Sequence, residues 1–273
     1  MKEIKVPEIS IILTFHNRHK MVKRAISNIF AQSIKNFELI LVDDFSDKPL
    51  IAKELETRDI KITYLRNSFN LGANRSRLRG LKVAKGDYIC FHDDDDYWMN
   101  KKLEKQFNFL RNNSEYYLVS SYAKTKNKIL KFPKRPTEIS LSIYNCIGSF
   151  SIPMIRRCEI LFSSLENDLS NAQDWHVWRN IQRLYPTATI PEVLVFFDDG
   201  SHARISSKKN KKKYYESYLR VALANNNSRL IRYYHQTLSA YHCSENYLMR
   251  YILGFLTLSL RLHVKILLYF EER

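Results

Sequence analysis

Four consecutive aspartates, Asp93 to Asp96, close the apolar and aromatic run Tyr88-Ile89-Cys90-Phe91 and are followed by Tyr97-Trp98. Carboxylates packed side by side repel one another, and a hydrophobic core has no use for them. A hard divalent cation resolves the conflict, because Mg²⁺ and Mn²⁺ prefer oxygen ligands and commonly combine one or two carboxylates with substrate phosphates. An acidic pair in a loop is more often a solvated turn. Four in a row, fused to a strand-like run, favour metal and diphosphate.

These residues need a scaffold that brings them to one edge. Ile9-Ser10-Ile11-Ile12-Leu13 reads as a buried parallel strand ending in Thr14-Phe15-His16-Asn17-Arg18. A helix pattern follows, with Met21, Val22, Ala25, Ile26, Ile29 and Phe30 at helical spacing. Phe37 to Val42 is the second strand and ends in Asp43-Asp44-Phe45-Ser46-Asp47. Ile60 to Leu65 is the third. Asn70-Leu71-Gly72-Ala73-Asn74 opens a basic helix with Arg75, Arg77 and Arg79, which Gly80 interrupts or closes. This alternation predicts an α/β protein with a doubly wound parallel sheet. Three strand ends, at Thr14, His16 and Asn17, at Asp43 and Asp44, and at Asp93 to Asp96, then share the edge where such sheets bind nucleotides. No G-x-G-x-x-G or G-x-x-x-x-G-K-[ST] follows a strand, which argues against a dinucleotide enzyme and a P-loop NTPase.

The 273 residues carry a formal charge of +16 and are 45% apolar, enough for a sizeable core and suited to an anionic partner. Cys90, Cys146, Cys158 and Cys243 are scattered and read as free thiols of a reducing compartment. The chain turns strand-like by Ile9, without a signal-peptide pattern, and no uncharged run approaches the ~18–20 residues that span a bilayer.

The motifs at 10–18, 41–47, 70–72, 86–88 and 93–98 occur in an order and spacing that resembles the family 2 inverting glycosyltransferases. Two later stretches extend the likeness: Gln173-Asp174-Trp175-His176-Val177-Trp178, and Asp199-Gly200-Ser201-His202-Ala203-Arg204-Ile205-Ser206. It covers about residues 8–207. The resemblance implies a GT-A fold: a Rossmann-like half with a mostly parallel central sheet flanked by helices, and a C-terminal helical appendage. Residues 1–207 would form the catalytic domain, about 1–100 binding nucleotide and about 101–207 receiving the acceptor, with a basic, apolar helical tail over 208–273.

The resemblance also assigns roles. Thr14 and His16, with Asn17 beside them, would cradle the base of a UDP-sugar. Asp43 would accept from uracil N3, and Asp44 would lie near the ribose. Arg77 would flank the nucleotide. Asp93 and Asp95 would form the D-x-D pair with Asp94 between them, Asp95 as ligand of Mn²⁺ or Mg²⁺ and Asp93 on ribose or the metal's water. Asp174 would be the catalytic base, His202 an extra metal or diphosphate contact, and Arg204 and Ser206 diphosphate contacts. The chain departs from the family where His16 replaces Tyr, Leu78 replaces Asn and Gln173 replaces Glu.

The chemistry asks for these types. A departing nucleoside diphosphate gathers negative charge, which a Lewis-acid metal stabilises. The acceptor hydroxyl needs a general base on the opposite face, and that geometry inverts the anomeric centre. A helix-capping role is the competing reading of Asp174. From Arg204 to Arg273 there are thirteen Lys and Arg against four Glu, including the run Lys208 to Lys213. The apolar, base-interrupted segment Tyr247 to Phe270 suits a membrane interface or a helical hairpin on the catalytic domain. The expected setting is the cytoplasmic face of a bacterial membrane, with peripheral attachment to anionic lipid, a lipid-linked saccharide acceptor in O-antigen or capsule assembly, and no nucleic acid. Two rivals remain open: a metal-dependent nucleotidyl or phosphoryl transferase, and an inert basic protein that binds membrane or nucleic acid.

Overall fold

The computed structural model describes residues 7–50, 60–197, 211–224, 229–243 and 256–263. Its first half is built from β1 (Ile9–Phe15), α1 (His19–Phe30), β2 (Phe37–Asp43), β3 (Lys61–Arg66), α2 (Ala73–Val83) and β4 (Tyr88–Asp93). The four strands are parallel and adjacent in the order β3-β2-β1-β4. Every residue of β2 is buried, as expected of a parallel strand covered on both faces. The register sets Phe15 opposite Asp43 and Thr14 opposite Asp93, so the polar strand ends fall in one row.

Alternation along the strands separates two cores. Ile9, Ile11 and Leu13 pack with Val22, Ala25, Ile26 and Ile29 of α1. Ile12, Ile40, Val42, Ile89 and Phe91 face the other way, toward Leu78 and Leu81 of α2. Gly80 neither interrupts nor closes α2, which runs on to Val83. It is the point where the helix touches the sheet: a Cβ there would lie 2.6 Å from Ile12 Cγ2.

The second half contributes β5 (Asp96–Trp98), α3 (Lys102–Asn112), β6 (Leu118–Lys124), β7 (Ile129–Leu130), α4 (Glu138–Ile143), β8 (Met154–Arg156), α5 (Glu159–Leu165), α6 (Gln173–Gln182) and β9 (Thr187–Phe197). Here the sheet becomes mixed. β8 pairs antiparallel with β4 and β6, β9 runs parallel to β6, and β5 lies antiparallel to β9. The sheet is therefore continuous from the parallel half to the strand holding Tyr97 and Trp98.

Helices α7 (Lys211–Leu223) and α8 (Arg229–Cys243) pack on this body. Val221 and Ala222 are buried in the same core as Trp175 and Trp178 of α6. Arg179 of α6 donates to the carbonyls of Val221 and Ala224. The buried His235 bridges Tyr218 Oη (2.8 Å) and the Ser142 carbonyl (2.8 Å). Leu260, in the helix over 256–263, joins Ile143, Ile231 and Tyr234. Of the segment Tyr247 to Phe270, only 256–263 is among the described residues. Among the described residues no helix is long and apolar enough to cross a membrane, and Cys90, Cys146 and Cys158 are buried.

Candidate active site

A cleft of about 630 Å³ opens over the row of strand ends. Thr14, His16, Asp44, Arg77, Asp93, Asp94, Asp95 and Asp174 all line it. Residues far apart in sequence thus converge on one space. Asp43 and Asn17 stand outside the lining. Asp43 is fully buried, its carboxylate accepting from the Ser46 amide (2.7 Å) and Tyr64 Oη (2.9 Å). Those bonds fix the turn after β2. Asn17, at φ 56°, accepts from the Asp47 amide through Oδ1 (2.8 Å) and closes the neighbouring turn. His202, Arg204 and Ser206 lie outside the described residues.

Each wall has a local cause. Asp44 accepts from the amides of Leu71 (2.7 Å) and Gly72 (2.9 Å) and from Asn67 Nδ2 (2.8 Å). Gly72 has φ 84°, a left-handed conformation that favours glycine, and this turn launches α2 into the site. His16 donates from Nδ1 to the Asp44 carbonyl (2.9 Å), which leaves Nε2 to accept from Asn17 Nδ2 (3.3 Å). Two strand ends are tied together by that ring.

The aspartate turn between β4 and β5 is held by arginines. Arg77 Nη2 lies 2.7 Å from Asp93 Oδ1, and its guanidinium sits 4.0 Å above the Phe150 ring. Arg18 Nη1 reaches Asp94 Oδ1 at 2.9 Å and Asp95 Oδ2 at 3.4 Å. Burial pushes the Asp94 carboxyl up to about 6, against the opposing pull of Arg18, with repulsion from Asp95 and Asp93 adding to the rise. Of the stretch Phe150 to Met154, only Phe150 borders the cleft. Ile152 and Met154 are buried in the core because β8 passes through the sheet there.

Asp174 is the second residue of α6. The helix N-cap is Ala172 in the left-handed region, so Asp174 does not cap it. Its Oδ1 accepts from the Trp175 amide at 2.7 Å. The helix is anchored from behind by Trp175 Nε1, which donates to the Leu141 carbonyl (2.6 Å), and Trp178 Nε1, which donates to the Gly148 carbonyl (2.7 Å). Burial pushes the Asp174 carboxyl up to about 6, offset by the Trp175 amide and Arg77 and reinforced by Asp93. It is half-buried, with an edge on the cleft. A carboxylate so placed is ionised at neutral pH yet more basic than a solvated one, which suits a general base.

Among the described residues no three His, Cys, Asp or Glu side chains are arranged to hold a metal by themselves. Asp94 and Asp95 do direct oxygens at one cationic nitrogen, Arg18 Nη1. Hard oxygen donors converging on one positive centre, in a cleft with room for phosphates, fit a divalent ion that takes its remaining ligands from a diphosphate. Sequence reading gave Arg18 no role, although it stands at the end of the first strand motif. Ser170 and Asn171, which also border the cleft, carry no signal in the sequence.

A parallel half-sheet with acidic strand ends, continued by a mixed half, is the architecture of the GT-A fold of glycosyltransferases. Residues 10–163 match the family described as glycosyl transferase family 2, and the chain belongs to it. A relative from Escherichia coli, UDP-Glc:alpha-D-GlcNAc-diphosphoundecaprenol beta-1,3-glucosyltransferase WfgD, is 30% identical over 178 residues, covering 63% of this chain and 69% of that protein. S. aureus TarS 1-349, solved in complex with UDP-GlcNAc, superposes with a TM-score of 0.64 at 16% identity over 85% of this chain and 70% of that one. The mannosyltransferase PcManGT of Pyrobaculum calidifontis, solved with GDP-Man and Mn²⁺, gives 0.60 at 15% identity over 98% and 86%. At these identities the two structures speak for the fold.

Proposed function

We propose that the protein is an inverting, metal-dependent glycosyltransferase that moves a sugar from a UDP-sugar to a lipid-linked saccharide acceptor in polysaccharide assembly of the O-antigen or capsule type. The observation that carries this reading is Asp174, whose carboxyl opens onto the cleft lined by Asp93, Asp94 and Asp95 and is raised toward neutrality. Asp174 takes the proton of the acceptor hydroxyl as its oxygen attacks the anomeric carbon and the bond to the diphosphate breaks. Thr14, His16 and Asp44 border the nucleotide, Asp43 and Asn17 fix the turns beneath it, and Arg77 orients Asp93. Asp95, with Asp94 and Asp93 preceding it in the turn, would hold Mn²⁺ or Mg²⁺, with His202 as an added contact and Arg204 and Ser206 toward the phosphates. When bound, the ion supplies charge neutralisation for the leaving diphosphate. The name of the E. coli relative supports a UDP-sugar and a diphosphoundecaprenol-linked acceptor. The Mn²⁺ in the Pyrobaculum structure supports the choice of metal.

Residues 1–207 are taken as the catalytic unit and 208–273 as an appendage that meets the cytoplasmic face of the membrane. The basic run Lys208 to Lys213 supports that placement by its charge. The deciding experiment measures UDP release from a panel of UDP-sugars, with GDP-mannose as control, in the presence of a diphosphate-lipid-linked saccharide and Mn²⁺. Acceptor-stimulated UDP release that EDTA and Asp95→Ala both abolish is expected. Release that survives both would remove the metal, and no release from any donor would remove the transferase reading with UDP-sugars.

A further inference from the structure

Among the described residues three guanidinium groups surround the aspartate turn, and they are not equivalent. Arg77 is 8% exposed, stacked on Phe150 and committed to Asp93. Arg24 donates from Nη2 to the backbone carbonyl of Asp95 (3.1 Å) and lies 4.3 Å from the Tyr97 ring centre. Arg18 is 29% exposed, borders the cleft, and serves two neighbouring carboxylates with a single nitrogen. Arg18 thus puts a positive charge on the carboxylate oxygens best placed to receive a cation.

We propose that Arg18 is the resident counter-ion of the aspartate turn: its guanidinium holds the Asp94 and Asp95 oxygens until a divalent cation displaces it, and it then faces the diphosphate of the donor. This rests on the metal-dependent reading above. A guanidinium and a divalent cation compete for the same oxygens, because their charges repel at contact distance. Arg18 borders the cleft, and a diphosphate bound there matches its planar fork. Cation and nucleoside diphosphate therefore bind cooperatively, each raising the affinity of the other by the same factor. Without nucleotide, the turn keeps its own neutralising charge and holds free cation weakly.

The test needs no turnover. Mn²⁺ is titrated into the protein and the free ion is followed by its electron paramagnetic resonance signal, with and without UDP. Arg18→Gln is expected to bind Mn²⁺ alone roughly five- to tenfold more tightly than wild type. Arg18→Lys, which keeps the competing charge, should stay near wild type. UDP should strengthen Mn²⁺ binding more in wild type than in Arg18→Gln, with circular dichroism confirming that each variant is folded. Unchanged or weaker Mn²⁺ binding by Arg18→Gln, while wild type still binds Mn²⁺ with UDP, overturns the counter-ion role and leaves the transferase reading standing. The coupling in wild type is read without any substitution, and its absence also overturns the proposal. Failure of wild type to bind Mn²⁺ even with UDP overturns the metal assignment and this inference together.

Discussion

Arg77 Nη2 lies 2.7 Å from Asp93 Oδ1, pinning the helix that follows the Gly72 turn to the end of the aspartate strand. The same guanidinium rests on Phe150, whose ring meets Phe91 of β4 and Trp178 of α6 edge-on at 5.3 and 5.2 Å. One arginine therefore connects the two carboxylate-bearing walls of the cleft through an aromatic spine. Arg77→Met keeps the stem and removes the charge and the fork. It should lower stability by about 1–3 kcal/mol, the usual cost of a charged group left without its partner. Urea denaturation measures it, and a loss below about 0.5 kcal/mol would show that the pair contributes little to the fold.

Asp174→Asn keeps the size of the side chain and removes its basicity. Transfer should fall by ~10²–10⁴, the usual worth of a general base, while UDP affinity by calorimetry stays near wild type. The pH profile follows from the same environment. With the carboxyl raised to about 6, the active, ionised form is lost as pH falls through 6. The transfer rate in wild type should drop about tenfold per pH unit below that point. A profile flat down to pH 5 would return Asp174 to a structural role at the start of α6.

The row of strand ends was legible in the sequence because parallel strands buried on both faces write continuous apolar runs, each ending where polarity begins. That pattern located Thr14, Asp44, Asp93 and Asp95. The mixed half of the sheet was not legible. β8 has only three residues, and β9 joins β6 with a shift of register between Ser121 and Ala123. Such pairings are set by tertiary contacts with no local periodicity to announce them. Gly80 misled for a related reason: its helix cost is local, whereas the close approach to Ile12 that justifies it is not. Arg18 was visible in the strand-end motif, but its grip on Asp94 and Asp95 spans 76 and 77 residues.

His235 offers a pH test of the C-terminal packing. Burial pulls its pKa down to about 4, with the Ser142 carbonyl opposing and Arg179 adding to the fall. The folded form therefore binds its proton less readily than the unfolded chain, whose value is near 6.5. Its contribution to stability is fully present above about pH 6.5 and is lost as pH falls toward 4. Comparison with His235→Phe isolates this group from other titrating side chains. The stability difference, wild type minus variant, should shrink by about 2–3 kcal/mol between pH 7 and pH 4. A difference independent of pH would mean that His235 titrates alike in the folded and the unfolded chain.

The last prediction concerns the cut after Ser207. Val221 and Ala222 lie in the core formed with Trp175 and Trp178, and Tyr218 stands 5.2 Å from the Trp175 ring. Arg179 is buried, and the carbonyls that it serves belong to Val221 and Ala224. Removing α7 and α8 bares apolar surface beside the helix that carries Asp174 and leaves a buried guanidinium without its acceptors. Each of those changes costs on the order of 1–3 kcal/mol, a large part of the 5–15 kcal/mol that holds an ordinary domain together. A chain ending at Ser207 should accumulate in the insoluble fraction, and any soluble portion should melt well below the full chain. Loss of UDP-sugar hydrolysis by that truncation then reports unfolding rather than detachment from a membrane. Attachment is better tested by replacing Lys208, Lys209, Lys211, Lys212 and Lys213 with Gln in the full chain. Sedimentation with anionic vesicles at low salt should fall while the melting temperature holds. Equal sedimentation of this variant and wild type would remove the basic run from membrane binding, and a soluble 1–207 chain melting with the full protein would show that α7 and α8 add nothing to the fold.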